Sequence, residues 1–521
     1  MNETQAPPSA VKRLALTAVM RTANIITGVF QNITIISIVG FAACAVGYVL
    51  FFQWLSYQEW MHYSDLLPYY ELLSYQELLP YQEYRSYYEL QTYQGFLNFR
   101  RHLPALLSVI GFMYAIYKIV PVLEDFWGLK RTRINTNHPL CMYAAITMWV
   151  IFINSIIFAF GYQIENGAAF HVMLENFFGR YGNDTPHYIA IARDWYQDTL
   201  CDHRLVIVFF PLYSILIRIM YFISPSYMFA AYIISNIFAI ASGVIFYKLA
   251  ALVTNEKEAR LAVKFLFIFP SALFLFVPLT ESLFLFLSIA VIYYTIKSKY
   301  IAVFVFGLLA TLTRSVGMLL IIPVAYEAIS QLITTYRANA HDNTPAEIAW
   351  HGLTRKDFAK FACLLAFPLG MGIYLLINFM VYGSATQFMV FQADHWGQNM
   401  YYFWHTITYL TSDVFTSYIN WVIGVSLPGV IAFWLTLALI IYGANKIRPS
   451  LTLYALAYFI FAFGPTWLMS GPRYAMVLFP LAFVAAKFAG TKKGYNLVLT
   501  IAYLVMFVLY FHEFIRDNFV F

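Results

Sequence analysis

The sequence predicts an all-α polytopic membrane protein, and three observations lead to this prediction. Hydrophobic residues make up 61% of the 521 residues and charged residues only 11%, whereas soluble domains contain about 25% charged residues. The apolar residues fall in long unbroken runs, and about 20 such residues cross a bilayer as one helix. The runs also lack the alternating polarity of a transmembrane β-barrel. A water-soluble globular protein is excluded, and the net charge of +6 fits cytoplasmic Lys and Arg better than nucleic-acid binding.

Residues 1–140 are predicted to be an N-terminal extension with two transmembrane helices, at about 33–55 and 103–123. Between them, over about 56–95, a tyrosine recurs every six residues: Tyr57, Tyr63, Tyr69, Tyr75, Tyr81, Tyr87 and Tyr93. Six residues turn a helix through about 600°, which scatters the tyrosines over several faces. Pro68 and Pro80 interrupt a regular strand ladder. The repeat is interpreted as a low-complexity spacer, with a tyrosine surface that binds carbohydrate or a partner as the alternative.

Residues 141–521 are predicted to be the main membrane domain, which brings the chain to about 11–12 spans. The first span of this domain, about 141–162, leads to a polar outer loop at 163–204. The next stretch, 206–223, is predicted to dip into the membrane or to lie at its interface, because a full span would place the basic residues after it outside. The spans that frame the polar residues discussed below are predicted at 261–277, 281–296, 300–312, 318–333, 451–467 and 474–486.

The sequence contains no motif for several common chemistries. It has no phosphate-binding GxxxxGK[ST] loop, no HExxH zinc motif and no serine nucleophile elbow. The four cysteines are scattered without a CxxC pair, which argues against a disulfide framework or a structural zinc site. No residue spacing demands a metal ion, so the sequence predicts no cofactor and leaves a divalent metal as an open alternative.

Polar and ionisable residues converge on the outer face in this predicted topology. Ionisable groups at helix ends in a membrane are costly unless they are paired, and they commonly serve function. For each residue the alternative is a simple interfacial cap or ion pair. Asp184 is the candidate catalytic residue. The candidate substrate-binding residues are His187, Tyr188, Glu281, Arg314, Gln392, His395, Trp396, Arg473 and Tyr474.

Five short blocks follow one another between about 141 and 486. They are Asp184-x-x-His187-Tyr188 with Ile191-Ala192 and Tyr196; Phe209-Phe210-Pro211-Leu212-Tyr213 with Arg218; Phe269-Pro270-Ser271 with Thr280-Glu281-Ser282; Thr311-Leu312-Thr313-Arg314-Ser315; and Pro472-Arg473-Tyr474 with Phe479-Pro480-Leu481. In this order the set resembles the PIG-V-like mannosyltransferase family. The chain departs from the family at Asn183, where the family has Trp, and in residues 1–140, which have no counterpart there.

The resemblance implies a glycosyltransferase of the GT-C type, a helical bundle with its catalytic acid in the first outer loop. It implies a polyprenyl-phosphate donor, such as dolichyl-type phosphate mannose, and an acceptor that is a glycan, a glycolipid or a protein. Asp184 would then be the general base of an inverting transfer. Arg314 and Arg473 would stabilise the leaving lipid phosphate. His187 would orient the base or hold the acceptor, and Glu281 would hold a sugar hydroxyl or pair with an arginine.

Two other classes remain as alternatives. A polytopic transporter or lipid flippase would line an alternating-access path with its intramembrane charges and show repeated halves, of which the sequence has no sign. A non-catalytic scaffold would use the tyrosine repeat as its binding surface. The sequence predicts a multi-pass membrane location with the site on the extracytoplasmic side. Asn183-Asp184-Thr185 is a glycosylation sequon beside the candidate base, which favours a bacterial or archaeal cell membrane over the endoplasmic reticulum.

Overall fold

The computed structural model describes residues 139–164, 170–179, 184–196, 206–224, 226–339, 355–417 and 421–515. The chain divides into two compact units, 1–152 and 153–521, and only the start of one helix is described in the first unit. The two predicted N-terminal spans and the tyrosine repeat lie outside the described residues. The predicted domain boundary at 140/141 therefore stays a prediction.

The described part of the chain is mostly helical, and its only extended pairing is an isolated bridge between Met400 and Pro465. The helices are α1 Pro139–Ile164, α2 Phe170–Phe178, α3 Thr185–Asp194, α4 Pro211–Tyr221, α5 Tyr227–Val253, α6 Glu256–Phe267, α7 Glu281–Ile296, α8 Tyr300–Thr311, α9 Ile321–Asn339, α10 Arg355–Ala362, α11 Ala366–Tyr382, α12 Gln387–Trp396, α13 Phe403–Thr416, α14 Leu427–Gly443, α15 Pro449–Ala462, α16 Gly471–Met476, α17 Pro480–Thr491 and α18 Lys493–Ile515.

Six helical segments in the described residues are long and apolar enough to cross a membrane: Pro139–Phe158, Tyr227–Val253, Ser315–Thr334, Phe358–Tyr382, Val422–Gly443 and Gly494–Phe511. Four further apolar helices are shorter, namely α4, α7, α8 and α15. At about 1.5 Å per residue these four are roughly 16 to 24 Å long, less than the ~30 Å hydrocarbon core. The fold is thus an all-α membrane architecture, and the predicted total of about 11–12 spans stays a prediction.

The segment predicted as one span at 261–277 does not form a single helix. Helix α6 ends at Phe267, and a 3₁₀ turn over Ala272–Leu275 follows it. Pro270 and Pro278 account for the break, since proline lacks an N–H and disfavours helical geometry in the residue before it. The bent segment lies between α6 and α7, and it brings polar residues to the N-terminus of α7.

Helix α7 is apolar on all sides and is buried along most of its length, as expected for a helix in the centre of a bundle. Side chains of α5 fix the approach to its N-terminus. Ser235 Oγ donates a hydrogen bond to the carbonyl of Leu279 at 3.0 Å, and Ser242 Oγ donates to the carbonyl of Ser282 at 3.0 Å. The first turn of α7 is therefore held in one place relative to α5.

An ion pair between a buried carboxylate and a partly exposed arginine connects α9 to the start of α15. Arg448 donates from Nε and Nη2 to the two carboxylate oxygens of Glu327 at 3.0 and 2.8 Å. Ser450 Oγ donates to Glu327 Oε1 at 2.6 Å, and Glu327 is almost fully buried. This two-pronged arrangement is the geometrically favourable form of an Arg–carboxylate pair, and it fixes the spacing between two helices.

Gly317 allows the 3₁₀ segment Ser315–Leu320 to pack directly on the end of α8. A Cβ added at Gly317 would lie 2.5 Å from the carbonyl oxygen of Ala310 and 2.8 Å from the backbone nitrogen of Thr311. Gly317→Ala is therefore expected to destabilise the protein by about 1–3 kcal/mol, because the backbone must move to accept the methyl group. The midpoint of thermal unfolding in detergent measures this change.

Gly372→Ala is the matched control, because a Cβ added at Gly372 meets nothing within 4 Å. Alanine is also the better helix former by about 1 kcal/mol, so this variant is expected to unfold at the wild-type midpoint or above it. Equal midpoints for the two variants would contradict the close packing at Gly317.

Candidate functional site

Four ionisable side chains from distant parts of the sequence meet in one cluster. Arg473 Nη2 lies 2.6 Å from Asp184 Oδ2, and Arg473 Nε donates to Glu281 Oε1. Arg314 Nη1 donates to the same Glu281 oxygen at 2.5 Å. We refer to Asp184, Glu281, Arg314 and Arg473 as the ionic cluster.

The four side chains of the ionic cluster differ in their exposure to solvent. The Glu281 side chain is fully buried, those of Arg473 and Arg314 are 7% and 14% exposed, and that of Asp184 is 21% exposed. Two carboxylates balance two guanidinium groups. This balance matters because leaving one buried charge without a partner is strongly destabilising. A ligand can reach the cluster from the side of Asp184.

Local chain features place Asp184 at the edge of the cluster. The residue precedes α3 at its N-cap position, and its side chain makes no capping hydrogen bond. The carboxylate instead pairs with Arg473, while the positive end of the α3 dipole still favours a negative charge there. The next residue is also fixed, since Thr185 Oγ1 donates to the carbonyl of Pro278 at 3.1 Å. This hydrogen bond ties the start of α3 to the segment that leads to Glu281.

Arg473 is positioned by the turn that follows α6. Ser271 Oγ donates to the carbonyl of Pro472 at 2.5 Å, which ties α16 to this turn. The Arg473 guanidinium carbon lies 5.8 Å from the ring centroid of Phe274, in the same turn. The bend at Pro270 therefore has a role in the site: it brings a hydroxyl to the carbonyl of Pro472 and an aromatic ring to Arg473.

Asp184 and Arg314 each have hydrogen-bonding atoms that a ligand could use. In the described part of the chain, Asp184 Oδ1 has no hydrogen-bond partner, and neither do Nε and Nη2 of Arg314. Arg314 Nη1 also donates to Thr280 Oγ1 at 3.3 Å, and its guanidinium carbon lies 5.2 Å from the ring centroid of Tyr474. The cluster thus offers one carboxylate oxygen as a proton acceptor and one guanidinium edge as a donor.

Aromatic rings form a wall beside Asp184. His187 stacks on Phe209 with ring centroids 4.9 Å apart. The indole of Trp396 is nearly perpendicular to both rings, at 5.9 Å from His187 and 5.8 Å from Phe209. Because these two distances are equal within 0.1 Å, the indole lies beside the stack rather than over either ring. Tyr188 extends the wall inward, with its centroid 5.0 Å from that of Phe209.

The other two candidates in the second outer loop lie differently. Gln392 Nε2 donates to Gln398 Oε1 at 2.6 Å, and the exposed His395 packs against Phe391. Neither contacts the ionic cluster among the described residues, and their predicted substrate contacts stay predictions. The segment after α12 is tied to the one that precedes α16, because Gln398 Nε2 donates to the carbonyl of Trp467 at 2.9 Å. A hydrogen bond thus joins the segment that follows Trp396 to the segment that precedes Arg473.

Three residues of the site were not singled out from the sequence. Thr280 contacts Arg314, Phe274 contacts Arg473, and Phe209 stacks on His187. Thr280 and Phe209 each belong to one of the five blocks, but neither was among the candidate residues. Phe274 lies in a continuous apolar run, where no local pattern distinguishes it from a core residue.

No group of three or more His, Cys, Asp or Glu side chains in the described residues could hold a metal ion. Comparison of the chain with protein-family models, with curated proteins and with solved structures gave no match. The likeness to PIG-V-like mannosyltransferases therefore remains a resemblance of motifs.

Proposed function

We propose that this protein is an integral membrane glycosyltransferase. It moves a sugar from a polyprenyl-phosphate donor to a hydroxyl of a glycan, glycolipid or protein acceptor, with inversion at the anomeric carbon. Mannose is the sugar that the motif resemblance implies. The observation that supports this proposal best is the environment of Asp184: one carboxylate oxygen is held by Arg473, the other has no partner, and Arg314 carries an unused guanidinium edge in the same cluster.

Asp184 acts as the general base in this proposal. Its Oδ1 accepts the proton of the acceptor hydroxyl while the hydroxyl oxygen bonds to the anomeric carbon. The bond between that carbon and the phosphate oxygen breaks, and its electron pair leaves with the lipid phosphate. The ion pair with Arg473 orients the carboxylate. Proton transfer to a positioned base contributes typically about 10²–10⁴-fold in rate.

The two arginines have different tasks in this proposal. Arg473 uses Nε and Nη2 on Glu281 and Asp184, so it is a positioning residue. Arg314 keeps Nε and Nη2 for the leaving phosphate, which needs positive charge rather than a proton. A fixed donor in a largely dehydrated site stabilises such charge more strongly than water does. Glu281 binds both guanidinium groups through a single oxygen and sets the distance between them.

The aromatic wall is assigned to the acceptor. His187 lies in the first turn of α3, whose N-cap is Asp184, and Phe209 and Trp396 pack against its ring. Trp396 Nε1 is buried and has no hydrogen-bond partner among the described residues. A buried donor without a partner costs about 1–3 kcal/mol. A hydroxylated acceptor could satisfy this donor, whereas the hydrocarbon chain of the donor lipid could not.

The full-length protein reconstituted in liposomes tests the proposal. The vesicles receive polyprenyl-phosphate mannose carrying a radiolabel, together with a glycolipid, an oligosaccharide or a peptide acceptor. We expect label in one acceptor and a product of opposite anomeric configuration to the donor. Movement of the labelled lipid between leaflets without bond transfer would instead identify a flippase, and the absence of both would identify a scaffold.

A further inference from the structure

A second polar site lies away from the ionic cluster, between α6 and α18. Lys264 Nζ donates to Asn496 Oδ1 at 2.6 Å and to Thr500 Oγ1 at 2.7 Å. The ammonium also lies 4.6 Å from the ring centroid of Phe265. Lys264 and Asn496 are half-buried, whereas Thr500 is buried. The lysine ammonium is therefore held in a fixed position by two side chains of α18.

The positive charge of Lys264 is not balanced by any carboxylate in the described part of the chain. The two acids at the start of α6 are taken by other residues, since Glu256 pairs with Arg260 at 2.8 Å and Glu258 pairs with Lys487 at 2.6 Å. The acceptors of Lys264 are a neutral amide and a neutral hydroxyl. An ammonium group with neutral partners in a membrane protein is costly, and such groups commonly bind a charged ligand.

Lys264 and Asn496 each have a hydrogen-bond donor that is not used within the site. An ammonium group has three N–H donors, and Lys264 uses two of them on Asn496 and Thr500. Because Asn496 accepts the lysine through Oδ1, its Nδ2 points elsewhere, and this nitrogen has no partner among the described residues. One ammonium proton and an amide NH₂ group are thus left for an anionic ligand, and phosphate oxygens are acceptors that suit both.

The surroundings of Lys264 indicate a lipid rather than a soluble anion. Leu497 and Ile501 directly follow Asn496 and Thr500 on α18, and both are exposed and apolar. Helix α18 begins at Lys493, so Asn496 and Thr500 lie about 5 and 10 Å along it. The apolar segment of α18 that is long enough to span a membrane begins at Gly494, so both residues lie near the end of that segment, where headgroups meet the hydrocarbon core.

We propose that Lys264, Asn496 and Thr500 form a binding site for the phosphate of an anionic membrane phospholipid. Its acyl chains lie along Leu497 and Ile501 of α18. The lysine and the amide bind the phosphate oxygens, and Thr500 keeps the ammonium oriented. The site belongs to neither the ionic cluster nor the aromatic wall, so it does not depend on the proposed glycosyl transfer.

Native mass spectrometry of the purified full-length protein tests this site with phosphatidylglycerol as the probe and phosphatidylcholine as the neutral lipid. We expect Lys264→Gln to weaken phosphatidylglycerol binding about tenfold, because a charge-assisted hydrogen bond is lost. Lys264→Arg keeps the charge and is expected to retain binding. Lys299→Gln removes an exposed lysine elsewhere and is expected to leave binding unchanged.

Three results would overturn the proposal. They are equal phosphatidylglycerol affinity in wild type and Lys264→Gln, an equal loss in Lys299→Gln, and competition by millimolar inorganic phosphate as strong as that by the lipid. The last result would identify a free anion as the ligand. If Lys264→Gln does not fold, Asn496→Leu replaces it, since this variant removes the amide donors and retains the charge. Unchanged binding in that variant would also count against the site.

Discussion

Asp184→Asn is expected to lower sugar transfer by about 10²–10⁴-fold, the usual contribution of a general base. An amide has the shape of a carboxylate but cannot accept the proton of the acceptor hydroxyl. The fold should persist, because Asp184 is 21% exposed and Arg473 keeps its bond to Glu281. The rate of label transfer in liposomes and the thermal unfolding midpoint are the two measurements.

Asp194→Asn is the matched control for this prediction. Asp194 lies on the same helix and forms an exposed ion pair with Arg193 at 2.6 Å, and such surface pairs contribute about 0–1 kcal/mol. Transfer and stability should both stay at the wild-type level. If well-folded Asp184→Asn transferred sugar as fast as Asp194→Asn, the assignment of Asp184 as the base would be wrong.

Glu281→Gln is expected to have the largest combined effect on stability and activity. Glu281 is fully buried and is the shared partner of Arg314 and Arg473. Its neutralisation leaves two largely buried guanidinium groups with only the carboxylate of Asp184. Removing one partner of a buried ion pair typically costs about 3–5 kcal/mol. A lower unfolding midpoint in detergent and loss of transfer should appear together, because the positions of both arginines depend on this oxygen.

Glu327→Gln is the control variant that distinguishes a loss of stability from a loss of sugar transfer. Glu327 is a buried carboxylate with its own arginine, Arg448, and lies outside the ionic cluster. Its neutralisation should lower the unfolding midpoint less than Glu281→Gln does, because Arg448 is 42% exposed and stays hydrated, and the folded protein should still transfer sugar below that midpoint. A result in which both variants lose transfer equally, at a temperature where both are folded, would argue against a special role for Glu281.

Several features of the fold follow from local sequence patterns. Helix α7 covers the same residues, 281–296, as the predicted span, because Pro278 marks its start and a continuous apolar run extends from there. The membrane character follows from composition alone, with 61% hydrophobic and 11% charged residues. In contrast, the sequence pattern extends the span at 261–277 across Pro270, where packing between the surrounding helices accommodates a turn.

For the candidate residues too, the sequence predicts some features and only the structure shows the others. Asp184, Glu281, Arg314 and Arg473 stand out in the sequence because charged residues are rare in apolar surroundings. The sequence predicts that Glu281 holds a sugar hydroxyl or pairs with an arginine, and the structure pairs it with Arg314 and Arg473. The pairing of Arg473 with Asp184 does not follow from the sequence, which assigns Arg473 to the phosphate. Gln392, His395 and Trp396 are neighbours in the sequence, but only Trp396 reaches the wall beside Asp184.

The sequence by itself determined the class of protein, the placement of helices such as α7 and the residue types rare enough to suggest a site, whereas the predicted spans at 261–277 and 474–486 are each divided in the structure. Only the tertiary structure decided which charges meet and which of their atoms remain free for a ligand. Glu281 and Arg473 are 192 positions apart, and Lys264 and Asn496 are 232 apart. Contacts at such separations depend on how bent helices pack against one another, and periodicity within any one segment carries no information about its neighbours in space.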